Sequence, residues 1–204
     1  MSSGKSHWML NKMKEWNDSG KFKQFVYLSP LLTEVGGVKC NQTNKYLDGR
    51  IQRQLPEMRF KYPIQLKGSK KQHSLELLHQ GKNIAATHNL FLNLDSSSSE
   101  IIKDYDNILV IDECLDAYKQ FKGISKKSLA LLIEQGIFSV DDESLKLVYH
   151  REKDLFPDDN WEFSELIKLS EAGCIFFVNG ELLVWEYPVS ILSAFNEVWV
   201  LTYL

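Results

Sequence analysis

The segment that most limits the folds open to this chain is NILVIDE, residues 107–113. Its apolar run from Ile108 to Ile111 is unbroken, and the acids Asp112 and Glu113 follow directly. Unbroken apolar runs of this length are typical of strands that are buried on both faces, as in the parallel sheets of α/β proteins. The segment therefore predicts an α/β fold with a mostly parallel sheet, in which a central strand ends in carboxylates.

A second constraint is the opening segment SSGKS, which ends in Gly4-Lys5-Ser6. These residues match the end of the phosphate-binding loop pattern G-x-x-x-x-G-K-[ST], whose first glycine would fall just before Met1. Apolar residues recur after the motif at helical spacing, which predicts a helix from Gly4 to Asn17 with Gly20 as its stop. The start of such a helix presents free N–H groups and the positive end of its dipole to phosphate oxygens.

The two motifs have complementary chemistry, and together they predict a P-loop NTPase that uses ATP and Mg²⁺. Gly4, Lys5 and Ser6 are the candidate nucleotide-binding residues, with Lys5 reaching the β- and γ-phosphates. Ser6 and Asp112 are the candidate ligands of Mg²⁺. Asp112 and Glu113 are the candidate catalytic residues, and Glu113 would act on the attacking water as a general base.

The order of motifs along the chain resembles the first RecA-like motor domain of DEAD/DEAH-type, superfamily 2-like helicases, especially divergent phage-type helicases. The segments that carry the resemblance are Gly4-Lys5-Ser6 (motif I), Tyr27-Leu28-Ser29-Pro30 (motif Ia), Ala86-Thr87-His88 (the T-H element), Ile111-Asp112-Glu113 (motif II) and Leu201-Thr202-Tyr203 (motif III). The resemblance implies a RecA-like core that binds Mg-ATP and single-stranded nucleic acid, with DNA favoured over RNA.

The resemblance also assigns roles to residues outside the nucleotide motifs. It implies that Ser29, Thr87 and His88 contact the nucleic acid and that Thr202 couples the ATP site to a second motor domain. Each has a plainer interpretation: Ser29 as a turn residue before Pro30, His88 as a strand-end histidine bonded to a carbonyl group, and Thr202 as an ordinary strand residue. The sequence leaves both interpretations open.

Several departures from the family pattern are evident. The strand and first glycine of the phosphate loop are absent before Met1, and motif II continues as Ile111-Asp112-Glu113-Cys114. A second RecA-like domain with its arginine finger is also absent, so the resemblance implies a chain truncated at both ends. An arginine finger is worth about 10³–10⁵ in rate. We therefore expect weak or no hydrolysis, and no unwinding, by this chain alone.

The predicted domain organisation has three parts. Residues 1–136 form the RecA-like core, residues 137–188 form an α+β insertion, and residues 189–204 return to the core sheet with a final strand. Two apolar segments around Asn179-Gly180 predict a β-hairpin inside the insertion. No internal repeat is evident.

The net charge of −3 hides a division along the chain. Residues 1–80 contain 14 Lys and Arg against 6 Asp and Glu, whereas residues 81–204 contain 10 against 21. The basic first part favours contact with phosphates, although a lysine-rich solvated surface would have the same composition.

The cysteines and the apolar runs indicate the compartment. The 3 cysteines lie far apart without C-x-x-C spacing. This spacing predicts neither a disulfide framework nor a zinc site and favours a reducing, cytoplasmic setting, in the host cell if the chain is encoded by a phage. No apolar run approaches the ~20 residues that span a bilayer, so no membrane partner is expected.

Three functions therefore stay open. The first is the N-terminal ATP-binding domain of a helicase or translocase. The second is the ATPase of a phage DNA-packaging motor, which shares the phosphate loop and the strand-end acids. The third is a non-catalytic remnant that acts as a binding module.

Overall fold

A computed structural model describes residues 4–22, 24–65, 69–94, 98–153 and 163–202. The predicted motif residue Tyr203 lies outside these ranges. The chain forms two compact units, one made of Met1–Leu115 with Val189–Leu204 and the other of Asp116–Pro188.

The helices and strands are numbered in chain order. The α-helices are α1 (Gly4–Asp18), α2 (Leu32–Val35), α3 (Arg50–Gln54), α4 (Lys70–His79), α5 (His88–Phe91), α6 (Ser98–Lys103), α7 (Lys126–Glu134), α8 (Ser164–Glu171) and α9 (Val189–Leu192). The strands are β1 (Gln24–Ser29), β2 (Val38–Lys39), β3 (Tyr46–Leu47), β4 (Ile84–Thr87), β5 (Asn107–Asp112), β6 (Tyr118–Gln120), β7 (Phe138–Val140), β8 (Leu147–Tyr149), β9 (Ile175–Val178), β10 (Leu182–Glu186) and β11 (Glu197–Leu201). Among the described residues, no helix combines the length and apolarity needed to cross a membrane.

A four-stranded parallel sheet with the order β11-β5-β1-β4 organises the first unit. The predicted α/β class and the parallel sheet are therefore confirmed. Strand β5 is central, and its residues Ile108, Leu109 and Val110 are 0 % exposed. Because all four strands run in one direction, their carboxyl ends meet at the same edge of the sheet.

Helix α1 covers one face of the sheet, as its apolar spacing predicts. Met9 and Met13 are fully buried, and Trp16 packs edge-on against Phe22 and in a tilted arrangement against Trp199 of β11. Each fully buried large side chain of this kind contributes about 1.5–3 kcal/mol to stability. This packing holds the start of α1 at a defined position relative to the strands.

Polar side chains fix the amino ends of the strands. The backbone N–H of Asn107 donates to Oδ1 of Asn196 (2.9 Å), and the backbone N–H of Asn196 donates to Oδ1 of Asn107 (3.1 Å). The buried Gln24 amide donates to the carbonyl oxygens of Leu78 (3.2 Å) and Lys82 (3.1 Å). These bonds satisfy buried polar groups and oppose a slip in strand register.

The two edges of the sheet differ. Lys61 forms a parallel bridge with Ile84, so the edge at β4 is partly covered. Within the described part of the chain, β11 pairs only with β5. On β11, Val198 is 40 % and Val200 is 50 % exposed.

In the second unit, β6, β10 and β9 form an antiparallel sheet. The hairpin predicted around Asn179-Gly180 is confirmed: β9 and β10 flank these residues, whose φ angles are +53° and +67°. Positive φ at both turn residues is the geometry that favours Asn-Gly between twisted strands.

The second unit also uses one arrangement twice. Helix α7 is followed by Gly136 and then by the hairpin β7–β8; helix α8 is followed by Gly173 and then by the hairpin β9–β10. A bridge between Lys146 and Phe176 joins the two hairpins. No repeat of residues in the sequence indicates this repetition.

The division into units differs from the predicted one at its first boundary. We expected the insertion to begin at residue 137, but the second unit begins at Asp116. Strand β6 pairs with β10 and α7 contacts β7, so residues 116–136 belong to the second unit. The second unit ends at Pro188, and the first unit resumes at Val189.

Candidate functional site

The candidate site lies where the carboxyl ends of β5 and β11 meet the start of α1. In the sheet register Leu201 lies opposite Asp112, so Thr202 follows beside Glu113. Ser6 Oγ donates to Asp112 Oδ1 at 3.0 Å, across 106 positions of sequence. Lys5 Nζ donates to the backbone carbonyl of Thr202. The structure thus brings together the residues predicted from motifs I and II, with Thr202 beside them.

Asp112 receives a further hydrogen bond that the sequence analysis missed. The hydroxyl of Tyr27 donates to Asp112 Oδ2 at 2.8 Å, and Tyr27 is 1 % exposed. Burial, with the negative charge of Asp112, raises the pKa of Tyr27 well above its usual range. The hydroxyl therefore stays protonated and acts as a permanent donor. A tyrosine inside an otherwise apolar strand was the available signal, because a buried phenol needs a partner.

Glu113 has an unusual backbone. Its φ is +71°, in the left-handed region, and its N–H donates to the carbonyl of Leu201 at 3.1 Å. A non-glycine residue held there costs on the order of 1–3 kcal/mol, and such strain clusters at functional sites. The turn ends β5 abruptly and leaves the Glu113 side chain exposed beside the half-buried Asp112.

The start of α1 is open around its glycine. A Cβ added to Gly4 would meet no atom within 4 Å. Packing within the described residues therefore does not require a glycine here, whereas close approach of a ligand to the backbone would.

The three predicted nucleic-acid contacts have different surroundings. Ser29 is 1 % exposed, and its hydroxyl accepts from the N–H of Leu31 at 3.4 Å. His88 is 9 % exposed. Thr87 is half-buried and caps α5 by accepting from the N–H of Leu90 at 3.3 Å. Thr87 lines an open cavity, whereas Ser29 and His88 are buried.

The His88 ring makes hydrogen bonds with the backbone of Asp112 and Leu28, as the plainer interpretation of this residue expects. Burial lowers its pKa, and the nearby backbone and the charges of Glu113 and Asp112 partly oppose this effect. Within the described residues, its Nε2 atom is buried without a hydrogen-bond partner.

A cavity of about 810 Å³ opens beyond the carboxyl ends of β1 and β4. Its polar lining includes Thr87, Asn89, Asn93 and the lysines at the start of α4, Lys70 and Lys71. None of the described residues that line it is acidic. The basic composition of residues 1–80 favoured contact with phosphates, but no motif singled out these two lysines.

The donors at the site are compatible with Mg²⁺. Ser6 and Asp112 offer a hydroxyl and a carboxylate, and Mg²⁺ prefers oxygen ligands, commonly one or two carboxylates together with substrate phosphates. Within the ranges that the structure describes, no group of three or more His, Cys, Asp or Glu residues could hold a metal by itself.

Comparisons with known proteins identify one distant relative. The chain is 27% identical over 209 residues to the SPbeta prophage-derived uncharacterized protein YonV of Bacillus subtilis (strain 168). The match covers 100% of this chain and 47% of that protein, so the chain spans about half the length of its relative. No known protein family matches the chain. No solved structure matches it either.

Proposed function

We propose that this chain is the N-terminal, RecA-like ATP-binding domain of an ATP-dependent nucleic-acid helicase or translocase. The observation that carries the proposal is the 3.0 Å hydrogen bond between Ser6 and Asp112. It joins the start of a long helix to the acidic end of a central parallel strand, which is where a phosphate-bound Mg²⁺ needs its protein ligands.

Each residue of the site has a role in the proposal. Lys5 exchanges the Thr202 carbonyl for phosphate oxygens, and the N–H groups at the start of α1 donate to the same phosphates. Ser6 and Asp112 would hold the ion through their hydroxyl and carboxylate oxygens. The Tyr27 hydroxyl, which always donates, holds the Asp112 carboxylate in a fixed orientation. Glu113 orients the attacking water.

Bound Mg-ATP would supply the phosphoryl group and the cation that offsets its charge. In the proposal, a second motor domain contributes the arginine finger, and Thr202 transmits the state of the ATP site to it. We therefore expect this chain alone to bind Mg-ATP, in the cytoplasm of the host cell, but to hydrolyse it slowly or not at all. The prophage origin of the relative supports a phage protein.

The cavity beside β1 and β4 is the proposed contact with the polymer. Lys70 and Lys71 would pair with phosphates, and Thr87, Asn89 and Asn93 would donate to them. Lysine contacts to backbone phosphates are independent of sequence and suit a translocating motor. Single-stranded DNA is the proposed polymer.

The test is titration of a fluorescent ATP analogue, with and without Mg²⁺, into the parent chain and three variants. Lys5→Ala should weaken binding at least tenfold, and Asp112→Asn should abolish the dependence on Mg²⁺. The control Lys14→Ala removes an exposed lysine from the same helix, whose ion pair with Glu57 is long at 3.8 Å. It should change neither the affinity for the ATP analogue nor the dependence of binding on Mg²⁺. Equal affinity of parent and Lys5→Ala would refute the phosphate site.

One observation favours a non-catalytic binding module instead. Lys5 and Ser6 are already bonded to Thr202 and Asp112, so the site is satisfied without a ligand. If the chain binds oligo(dT) but does not bind the ATP analogue, the result would favour this second function.

A further inference from the structure

The side chain of Tyr62 forms part of the wall of the cavity beside β1 and β4. Tyr62 is half-buried, so part of its ring is open to the cavity. Other lining residues are apolar, among them Val35, Ala85 and Leu90. The cavity volume of about 810 Å³ lies within the range of about 300–1,000 Å³ that is usual for ligand sites. The cavity therefore offers an aromatic and apolar surface as well as groups that bind phosphates.

The backbone is fixed on both sides of Tyr62. Before it, the N–H of Ala85 in β4 donates to the carbonyl of Lys61 at 2.8 Å. After it, the N–H of Ile64 donates to Nδ1 of His73 in α4 at 3.0 Å. These bonds place Tyr62 at the cavity before any ligand binds, which reduces the ordering cost of binding.

The turn at Gly36 and Gly37 packs closely against the Tyr62 ring. The φ angles of the two glycines are +81° and +82°. A Cβ added to Gly36 would lie 2.9 Å from Cδ1 of Tyr62, and one added to Gly37 would lie 3.2 Å from Cδ2. A side chain at either position would therefore strain the backbone and displace the ring. This close backbone contact restricts the orientation of the ring.

We infer that the cavity holds a nucleobase stacked on Tyr62, with the adjoining phosphates at Lys70 and Lys71. The inference rests on the proposed function and deepens it, since it names bases as well as phosphates as groups that the polymer site binds. An aromatic ring stacks on the face of any base, so this contact adds affinity with little preference for sequence. A duplex keeps its bases stacked on one another, so the site selects single strands.

A plainer interpretation is that Tyr62 only packs against Gly36 and Gly37. In that case its replacement changes stability, and polymers with and without bases keep the same relative affinity for the cavity. If Tyr62 stacks a base, its replacement removes only the part of the affinity that depends on bases.

The experiment compares the affinity for oligo(dT) with that for an abasic deoxyribose-phosphate oligomer of equal length, which has the same phosphates but no bases. The parent should bind oligo(dT) more tightly by about fivefold or more, as expected for one stacked base. In Tyr62→Leu this ratio should fall by about fivefold or more, while the affinity for the abasic oligomer is kept. Tyr62→Phe retains an aromatic ring and should retain most of the ratio.

The matched control is Tyr46→Leu. The ring centre of Tyr46 lies 6.3 Å from that of Tyr62, but Tyr46 is not among the described residues that line the cavity. This variant should bind both oligomers as the parent does.

A second measurement needs no variant. Oligo(dT) in which 5-iodouracil replaces thymine is irradiated in complex with the parent chain, and the modified residues are located by mass spectrometry. We expect a crosslink at Tyr62, because this photochemical reaction requires contact between the base and the aromatic ring.

The outcomes are distinct. A parent that binds the two oligomers equally overturns the inference and leaves the proposed function standing. A Tyr62→Leu variant that keeps the ratio of the parent also overturns the inference. If the leucine variant does not fold, the crosslink decides: modification of Tyr62 supports the inference, and crosslinks at other residues alone overturn it. A parent that binds neither oligomer refutes the proposed polymer site and the inference with it.

Discussion

The bond from Tyr27 to Asp112 gives the sharpest test of the site geometry. Tyr27→Phe removes one hydroxyl and keeps the buried ring, so packing is unchanged. A hydrogen bond to a charged group contributes about 1.5–3 kcal/mol, against about 0.5–1.5 kcal/mol for a neutral pair. Asp112 is half-buried and keeps Ser6 as a donor, so part of the loss is recovered. We expect a decrease of about 1.5 kcal/mol in the free energy of unfolding.

Urea denaturation is the assay, read as a lower midpoint at an unchanged slope. The matched control is Tyr105→Phe, whose hydroxyl donates to the backbone carbonyl of His79 at 2.7 Å in an exposed setting. The free energy of unfolding of Tyr105→Phe should decrease by less than half as much as that of Tyr27→Phe. The effect of Tyr27→Phe should also shrink in an Asp112→Ala background, because the partner is then gone. A Tyr27→Phe variant within about 0.5 kcal/mol of the parent would refute the proposed bond to an ionised carboxylate.

The pH dependence of this bond has a defined sign. The folded pKa of Tyr27 lies above its ordinary value of 10.0, so the contribution to stability is fully present below pH 10. As the pH rises above 10, the unfolded chain loses the phenol proton while the folded chain keeps it, and stability falls. Tyr27→Phe should lack this part of the alkaline decline.

Three further predictions concern the same edge of the sheet. Glu113→Gly should be about 1 kcal/mol more stable than Glu113→Ala in urea, because only glycine adopts the left-handed backbone without strain; equal stability would contradict the strain at this turn. Burial lowers the pKa of His88, so the parent should lose stability as the pH falls below the ordinary value of 6.5, and His88→Leu should lose less between about pH 7.5 and 5.5; parallel curves would exclude a buried neutral imidazole. Replacing Lys70 and Lys71 with alanine should weaken oligo(dT) binding and flatten its salt dependence by about 0.7 in log–log slope for each phosphate that a lysine no longer neutralises; an unchanged slope would exclude the cavity as the polymer site.

The elements with strong periodic signals were predictable from the sequence. Three local patterns predicted the elements that they form: the apolar spacing of α1, the unbroken apolar run of β5 and the Asn-Gly turn between β9 and β10. Tertiary packing did not override any of them. The proximity of Ser6 and Asp112 was expected for another reason: the phosphate-loop pattern and the strand-end acids both supply ligands of Mg²⁺.

The features that were missed depend on contacts between distant segments. Strand β6 has only exposed residues, Tyr118 to Gln120, so no apolar pattern in the sequence predicts it. For this reason the second unit begins earlier in the chain than we expected. The bond of Tyr27 and the burial of Ser29 and His88 depend on which strands become neighbours. The sequence alone does not specify that order.

The side of β11 that pairs with no other described strand has a consequence for handling this protein. A strand edge whose N–H and C=O groups lack partners is a template for another strand, and exposed valines favour such pairing. We therefore expect this protein to form dimers or larger assemblies through β11, to an extent that rises with protein concentration. Val200→Lys, which places a charge on that strand, is the substitution that should keep the preparation monodisperse and make the binding measurements practicable.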